Sequence, residues 1–157
     1  MKKKISLFLT TILLFVMMVM PVSAAELPIV SSDSDISVAA TTGTNYFSKI
    51  TTKLNSLNGS SSNISTLSSG TCSGTTQSIT SVTAYARVSS GSSSFKLYVV
   101  SPDGTASYVS AGTSSSTYTF TSFNGKDPDG TWKVYIVSNG VVSTATVTLK
   151  VNYNYSF

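Results

Sequence analysis

The stretch Ala145-Thr146-Val147-Thr148-Leu149-Lys150-Val151-Asn152-Tyr153-Asn154-Tyr155 decides the fold. Every odd-numbered residue in it is apolar or aromatic, and every even-numbered one is polar or charged. Successive side chains of an extended strand point to opposite faces, so this pattern makes one buried face and one wet face. The same period of two runs upstream. Val82, Ala84, Ala86 and Val88 alternate with Thr83, Tyr85 and Arg87, and Phe95, Leu97 and Val99 alternate with Lys96, Tyr98 and Val100. Tyr118 and Phe120 flank Thr119, and Trp132, Val134 and Ile136 alternate with Lys133, Tyr135 and Val137. Strands half-buried in this way belong to antiparallel sheets.

The segments between them carry turn chemistry. Ser89-Ser90-Gly91-Ser92 and Ser138-Asn139-Gly140 suit hairpins, because Gly and Asn tolerate positive φ. Ser101-Pro102-Asp103-Gly104 and Asp127-Pro128-Asp129-Gly130 place Pro second and Gly fourth, as a type I turn prefers. Many short strands divided by turns predict an all-β chain, an antiparallel sandwich or barrel. Residues 45–57 read differently. Phe47, Ile50, Leu54 and Leu57 are spaced as on one face of a short helix. Residues 58–76 read as a Ser- and Gly-rich loop with a short strand around Ile64–Leu67, and residues 26–44 as a flexible N-terminal stretch. One domain is thus expected over residues 45–157.

The first 25 residues have the three parts of a secretory signal peptide. Lys2, Lys3 and Lys4 precede an apolar run from Ile5 to Met20, and small residues follow at Ser23, Ala24 and Ala25. The run is shorter than the about 20 residues a spanning helix needs. Cleavage after Ala24 or Ala25 is expected, with export to the extracellular space and no membrane span afterwards. The formal charge of +4 includes those three lysines, so the exported part carries only +1. That is no basic footprint for nucleic acid, which is not expected as a partner. Cys72 is the only cysteine, which excludes an intramolecular disulfide. It is read as a small packed side chain, with a disulfide-linked dimer as the sharper alternative.

The segment Leu97-Tyr98-Val99-Val100-Ser101-Pro102-Asp103-Gly104-Thr105, followed by Phe123-Asn124-Gly125-Lys126-Asp127-Pro128-Asp129-Gly130-Thr131-Trp132-Lys133-Val134, resembles a known family. It is similar to the P domain (Homo B domain) found beside the catalytic domain of subtilisin-like proprotein convertases and in many bacterial secreted proteins. The resemblance spans about residues 77–155. It implies a jelly-roll sandwich of galactose-binding-like type and an accessory, non-catalytic role. Any serine-type endopeptidase in that context would be a separate partner.

Histidine is absent from the chain, so neither a Ser-His-Asp triad nor a Cys-His pair can form. His-based zinc sites are excluded on the same ground, and one Cys cannot build a thiolate site. No catalytic residue and no cofactor are expected. Asp103, Asp127 and Asp129 are weak Ca²⁺ candidates, since Ca²⁺ takes carboxylate and carbonyl oxygens from loops; the plainer reading makes them turn formers. Trp132 opens an alternating strand and is expected in the core rather than against a sugar. Tyr85, Tyr98, Tyr108 and Tyr135 are candidates for an exposed aromatic face. The alternation running to Phe157 also resembles the last strand of an outer-membrane barrel, although few other segments show a lipid-facing band. The functional expectation is a secreted module that binds or stabilises a protein or glycan. The alternatives are a self-assembling structural or surface protein and a carbohydrate- or Ca²⁺-binding module.

Overall fold

The computed structural model describes residues 40–157. The expected signal peptide and residues 26–39 of the expected flexible stretch lie outside the described residues. Nine strands follow one another among the described residues: β1 (Thr42–Ile50), β2 (Leu54–Leu57), β3 (Ser65–Ser68), β4 (Thr76–Val88), β5 (Phe95–Val100), β6 (Ala106–Ala111), β7 (Ser116–Phe120), β8 (Thr131–Ser138) and β9 (Val142–Ser156). They form two antiparallel sheets. The first runs β1-β9-β4-β7, with β2 also paired to β9; the second runs β3-β8-β5-β6. The inward faces pack together as a β-sandwich.

The longest alternating segment becomes the axis of the first sheet. β9 pairs with β4 along its length, from Thr76 opposite Ser156 to Val88 opposite Ala145. Its other side takes β1 from Thr42 to Ile50, then β2 from Leu54 to Leu57. Ala145, Val147, Leu149 and Val151 point into the core against Leu97, Val99, Val134 and Ile136 of the second sheet, all fully buried. The apolar face of β9 therefore meets protein across a filled interior. This corrects the outer-membrane-barrel alternative, in which it would meet lipid.

Residues 45–57 are not helical. They form most of β1 and all of β2, and the strand begins at Thr42, inside the stretch expected to be flexible. Only Phe47 and Leu54 of the four spaced apolar residues are buried; Ile50 and Leu57 are more than half exposed. The open side of β9 offers a ladder that a helix could not satisfy. Thr51 carries the chain between the two strands: its N–H donates to Val147 O and its hydroxyl accepts from Val147 N–H, at 2.8 and 2.9 Å.

Two expected hairpins are also corrected. The segments Ser89–Ser92 and Ser138–Gly140 join strands of opposite sheets, β4 to β5 and β8 to β9. The flanking strands bury faces on both layers, so the turn must carry the chain across the core rather than fold it back. Ser101–Gly104 does close a hairpin, between β5 and β6. Gly104 N–H donates to Ser101 O at 2.9 Å, as a type I turn requires.

β4 is interrupted by a bulge between Ile79 and Ser81. The bulge lets Ile79 and Val82, an odd number of residues apart, both face the core. It also turns the Ile79 backbone towards the β7–β8 connection, where its N–H donates to Lys126 O and its carbonyl accepts from Gly125 N–H.

Candidate binding surface

The two segments that carry the P-domain resemblance meet at one end of the sandwich. Gly130 has φ of 122°, and a Cβ there would lie 2.9 Å from the Pro102 Cβ, so both the conformation and the close approach demand glycine. Lys126 Nζ reaches Asp103 Oδ2 at 2.6 Å and Thr105 Oγ1 at 2.8 Å. The Asp103 carboxylate also accepts from the Ser101 hydroxyl, and from Thr105 N–H at 3.0 Å. Lys126 first, then Ser101 and the Thr105 backbone, hold this carboxyl well below the usual aspartate range.

The second turn departs from the type I expectation. Asp127 Oδ1 accepts from Asp129 N–H at 2.9 Å, which is an Asx turn. Gly130 N–H leaves the turn altogether and donates to Ser69 Oγ at 2.9 Å, while Ser69 Oγ donates to Asp129 Oδ1 at 2.8 Å. The β3–β4 loop thus competes for the donor that a simple turn would use. Asp103 sits in one loop, paired with the Lys126 ammonium, while Asp127 and Asp129 sit in another, where they accept from the Asp129 N–H and the Ser69 hydroxyl. Among the described residues no cluster of His, Cys, Asp and Glu has metal-binding geometry.

Trp132 is fully buried, edge-on to Phe123 at 5.4 Å and to Phe47 at 6.2 Å, with its indole N–H donating to Pro128 O at 2.9 Å. It is core, as read from the strand pattern. Cys72 is buried and free. Burial pushes its thiol up, hydrogen bonding from Ser69 and Tyr153 partly offsets this, and Asp129 and Asp127 add to it. No buried side-chain nitrogen or oxygen among the described residues lacks a partner.

The tyrosines fall on two surfaces. Tyr85 lies on the first sheet and is exposed. Tyr98, Tyr108 and Tyr135 are register partners on β5, β6 and β8 of the second sheet. Tyr98 stacks on Tyr135 at 4.7 Å with planes 4° apart, and lies 5.2 Å from Tyr108. Burial, then the neighbouring Tyr98, push the Tyr135 hydroxyl up. Rings stacked against one another present edges and hydroxyls outward. Tyr98, flanked by a ring on each side, therefore offers no flat platform for a sugar ring.

An open groove of about 630 Å³ lies at the end of the first sheet, where residues 42–44 of β1, 76–78 of β4 and 154–156 of β9 meet. The groove is shallow, with much of that volume open to solvent. None of its lining residues is charged; they supply hydroxyls, the amides of Gln77 and Asn154, and one aromatic ring, Tyr155. Tyr155 leans over Gly43, its register partner, where a Cβ would fall 2.6 Å from the ring. Its outer edge is braced by Phe157 at 5.6 Å. Gln77 is committed to the loop beside it, donating to Ser73 O and Gly74 O. The Asn154 amide makes no hydrogen bond among the described residues and is exposed. The sequence reading did not single out this groove. Its signal was the run of neutral polar residues alternating along β9, which reads equally well as a solvated face.

No family model matches the chain. No curated protein matches it. Among solved structures it is similar to FLHE, known from a crystal structure, at 17% identity over 71% of this chain and 96% of that one, with a TM-score of 0.49. It is similar to a chain of the Bacillus endospore appendages, which form a novel family of disulfide-linked pili, at 14% identity over 73% and 88%, TM-score 0.38. It is also similar to a family two carbohydrate esterase from Cellvibrio japonicus, at 14% identity over 71% of this chain and 34% of that one, TM-score 0.27.

Proposed function

We propose that the chain is an extracellular, non-catalytic accessory module of the P-domain kind, a galactose-binding-like jelly roll, and that it holds a neutral glycan in the groove between β1, β9 and β4. One observation carries this reading. The residues with the most reactive chemistry, Asp103, Asp127, Asp129 and Cys72, are engaged in the fold, whereas the groove offers uncharged hydroxyl and amide groups around one braced aromatic ring. Sugars are recognised by that combination: hydroxyls and amides exchange hydrogen bonds with ring substituents, and a tyrosine packs against the apolar face of the ring. The lack of charge favours a neutral polymer over a phosphorylated or polyanionic one.

Thermal unfolding of the purified chain with cell-wall and host glycans tests the proposal. A ligand at about a hundred times its Kd adds about 2.7 kcal/mol, which moves the midpoint by several degrees. The double variant T44A/N154A should keep the unliganded midpoint and lose the shift. A panel that shifts nothing overturns the glycan assignment and directs the search to protein partners, beginning with secreted serine endopeptidases.

A further inference from the structure

The tyrosine row on the second sheet is unfinished. Tyr98 has a ring on each side, Tyr135 and Tyr108. Tyr108 stands on the edge strand β6, with Tyr98 on one side and solvent on the other, and it is 54% exposed. Lys96 Nζ lies 5.3 Å from its ring centre and is the only cation there among the described residues.

The strand that carries Tyr108 has none of the usual defences of a sheet edge. Residues 106–111 contain no charge and no proline, and they pair with β5 in six consecutive positions without a bulge. Among the described residues, no backbone group of β6 bonds to anything outside its own sheet. The opposite edge is different. β3 has only four residues, and its Ser65 hydroxyl accepts from Thr52 N–H, while Asn63 bridges to the Thr52 hydroxyl, tying the two sheets together. β1, the corresponding edge of the first sheet, carries Lys49. An open, regular, uncharged edge is a template for another strand.

We infer that two copies of this chain pair antiparallel through β6 about a two-fold axis at Tyr108. The register places Tyr108 opposite Tyr108 of the second copy and Ala106 opposite Ser110. The two second sheets then join into one, and the tyrosine row runs unbroken through the interface. A two-fold pairing is self-complementary and closes at two copies. Strand β6 itself is uncharged along the contact, and the nearest cation of each copy, Lys96, lies over its own Tyr108 ring. The inference does not rest on the glycan reading, because the groove lies on the other sheet.

Sedimentation velocity on the purified chain, over a wide concentration range into the high micromolar, tests it. The expected result is a reversible monomer–dimer equilibrium. The variant A106K/S110K sets lysines opposite lysines across the pair and should be monomeric, with the wild-type circular dichroism. The variant A106E/S110E should be monomeric alone, and mixing the two should restore a dimer, since each lysine then faces a glutamate. C72S should dimerise as the parent does. A parent that stays monomeric, charged variants that still dimerise, a mixture that stays monomeric, growth beyond two copies, or loss of the dimer in C72S would each overturn this pairing.

Discussion

Asp103 shows how a turn residue acquires a second duty. Its place in Ser-Pro-Asp-Gly is local chemistry, but the ammonium beside it comes from Lys126, on another loop. The carboxyl is held below its ordinary value of 3.8, chiefly by that ammonium. The folded state therefore binds this proton less readily than the unfolded chain does. Ionisation stabilises the fold above the ordinary value, and the contribution fades as pH falls below it. D103N should lower the unfolding midpoint at neutral pH, and the gap to the parent should close on acidification below the aspartate range. A gap that stays constant with pH would mean that the pair does not carry the effect. Cys72 behaves in the opposite sense. A buried thiol with a raised pKa is scarcely thiolate at neutral pH, so it should react slowly with a disulfide reagent in the folded protein and quickly in denaturant. Thiol titration under the two conditions checks this. Fast reaction when folded would restore an intermolecular disulfide as a working idea. At Trp132 packing dominates: W132A removes a fully buried ring from two aromatic neighbours and should cost about 3–5 kcal/mol in denaturant unfolding.

At the scale of elements, the bulge in β4 links a strand to a loop. Thr80 is the extra residue, exposed and without a register partner on β9. Its presence frees the Ile79 backbone to hold Gly125 and Lys126, and so to seat Phe123 under Trp132. Deleting Thr80 keeps Ile79 and Val82 facing inward but draws the Ile79 backbone into the ladder. The chain should still fold as a sandwich, with faster amide exchange across residues 121–130 and a lower midpoint. Unchanged exchange there would show that the loop is held by Lys126 and Ser69 alone. β1 and β2 make a related point. Their apolar residues carry a helical spacing, yet the segment is extended because the unpaired side of β9 supplies hydrogen bonds along nine and then four residues. Propensity yields to pairing where a long central strand needs covering.

For the molecule as a whole, the engagement of the three aspartates leads to a simple expectation. The unfolding midpoint should be the same in EDTA and in millimolar Ca²⁺. A rise of several degrees with Ca²⁺ would mean that the ion displaces Lys126 from Asp103 and recruits the Asp127–Asp129 turn. The glycan groove and the β6 edge lie on different sheets, so glycan binding should leave the association of two copies unchanged. Sedimentation with and without a bound glycan measures that independence.

The alternation in β4, β5, β7, β8 and β9 was readable from the residues alone, and with it the all-β class and much of the core. A side-chain period of two is a local property: each residue reports its own face. Trp132 as core was legible for the same reason, while the short strand expected around Ile64–Leu67 lies at Ser65–Ser68 and leaves Ile64 exposed. What only the tertiary structure decided was partnership. Whether Ser138–Gly140 folds back or crosses to the other sheet, whether Gly130 N–H stays in its turn or goes to Ser69, and whether residues 45–57 coil or extend all depend on what lies across the core. The tyrosine row and the groove at Tyr155 have that origin too. Tyr98, Tyr108 and Tyr135 become neighbours through strand register, and Gly43 meets Tyr155 across more than a hundred residues of chain. Register is set by the burial of whole strand faces together, a non-local balance that no single stretch of residues contains.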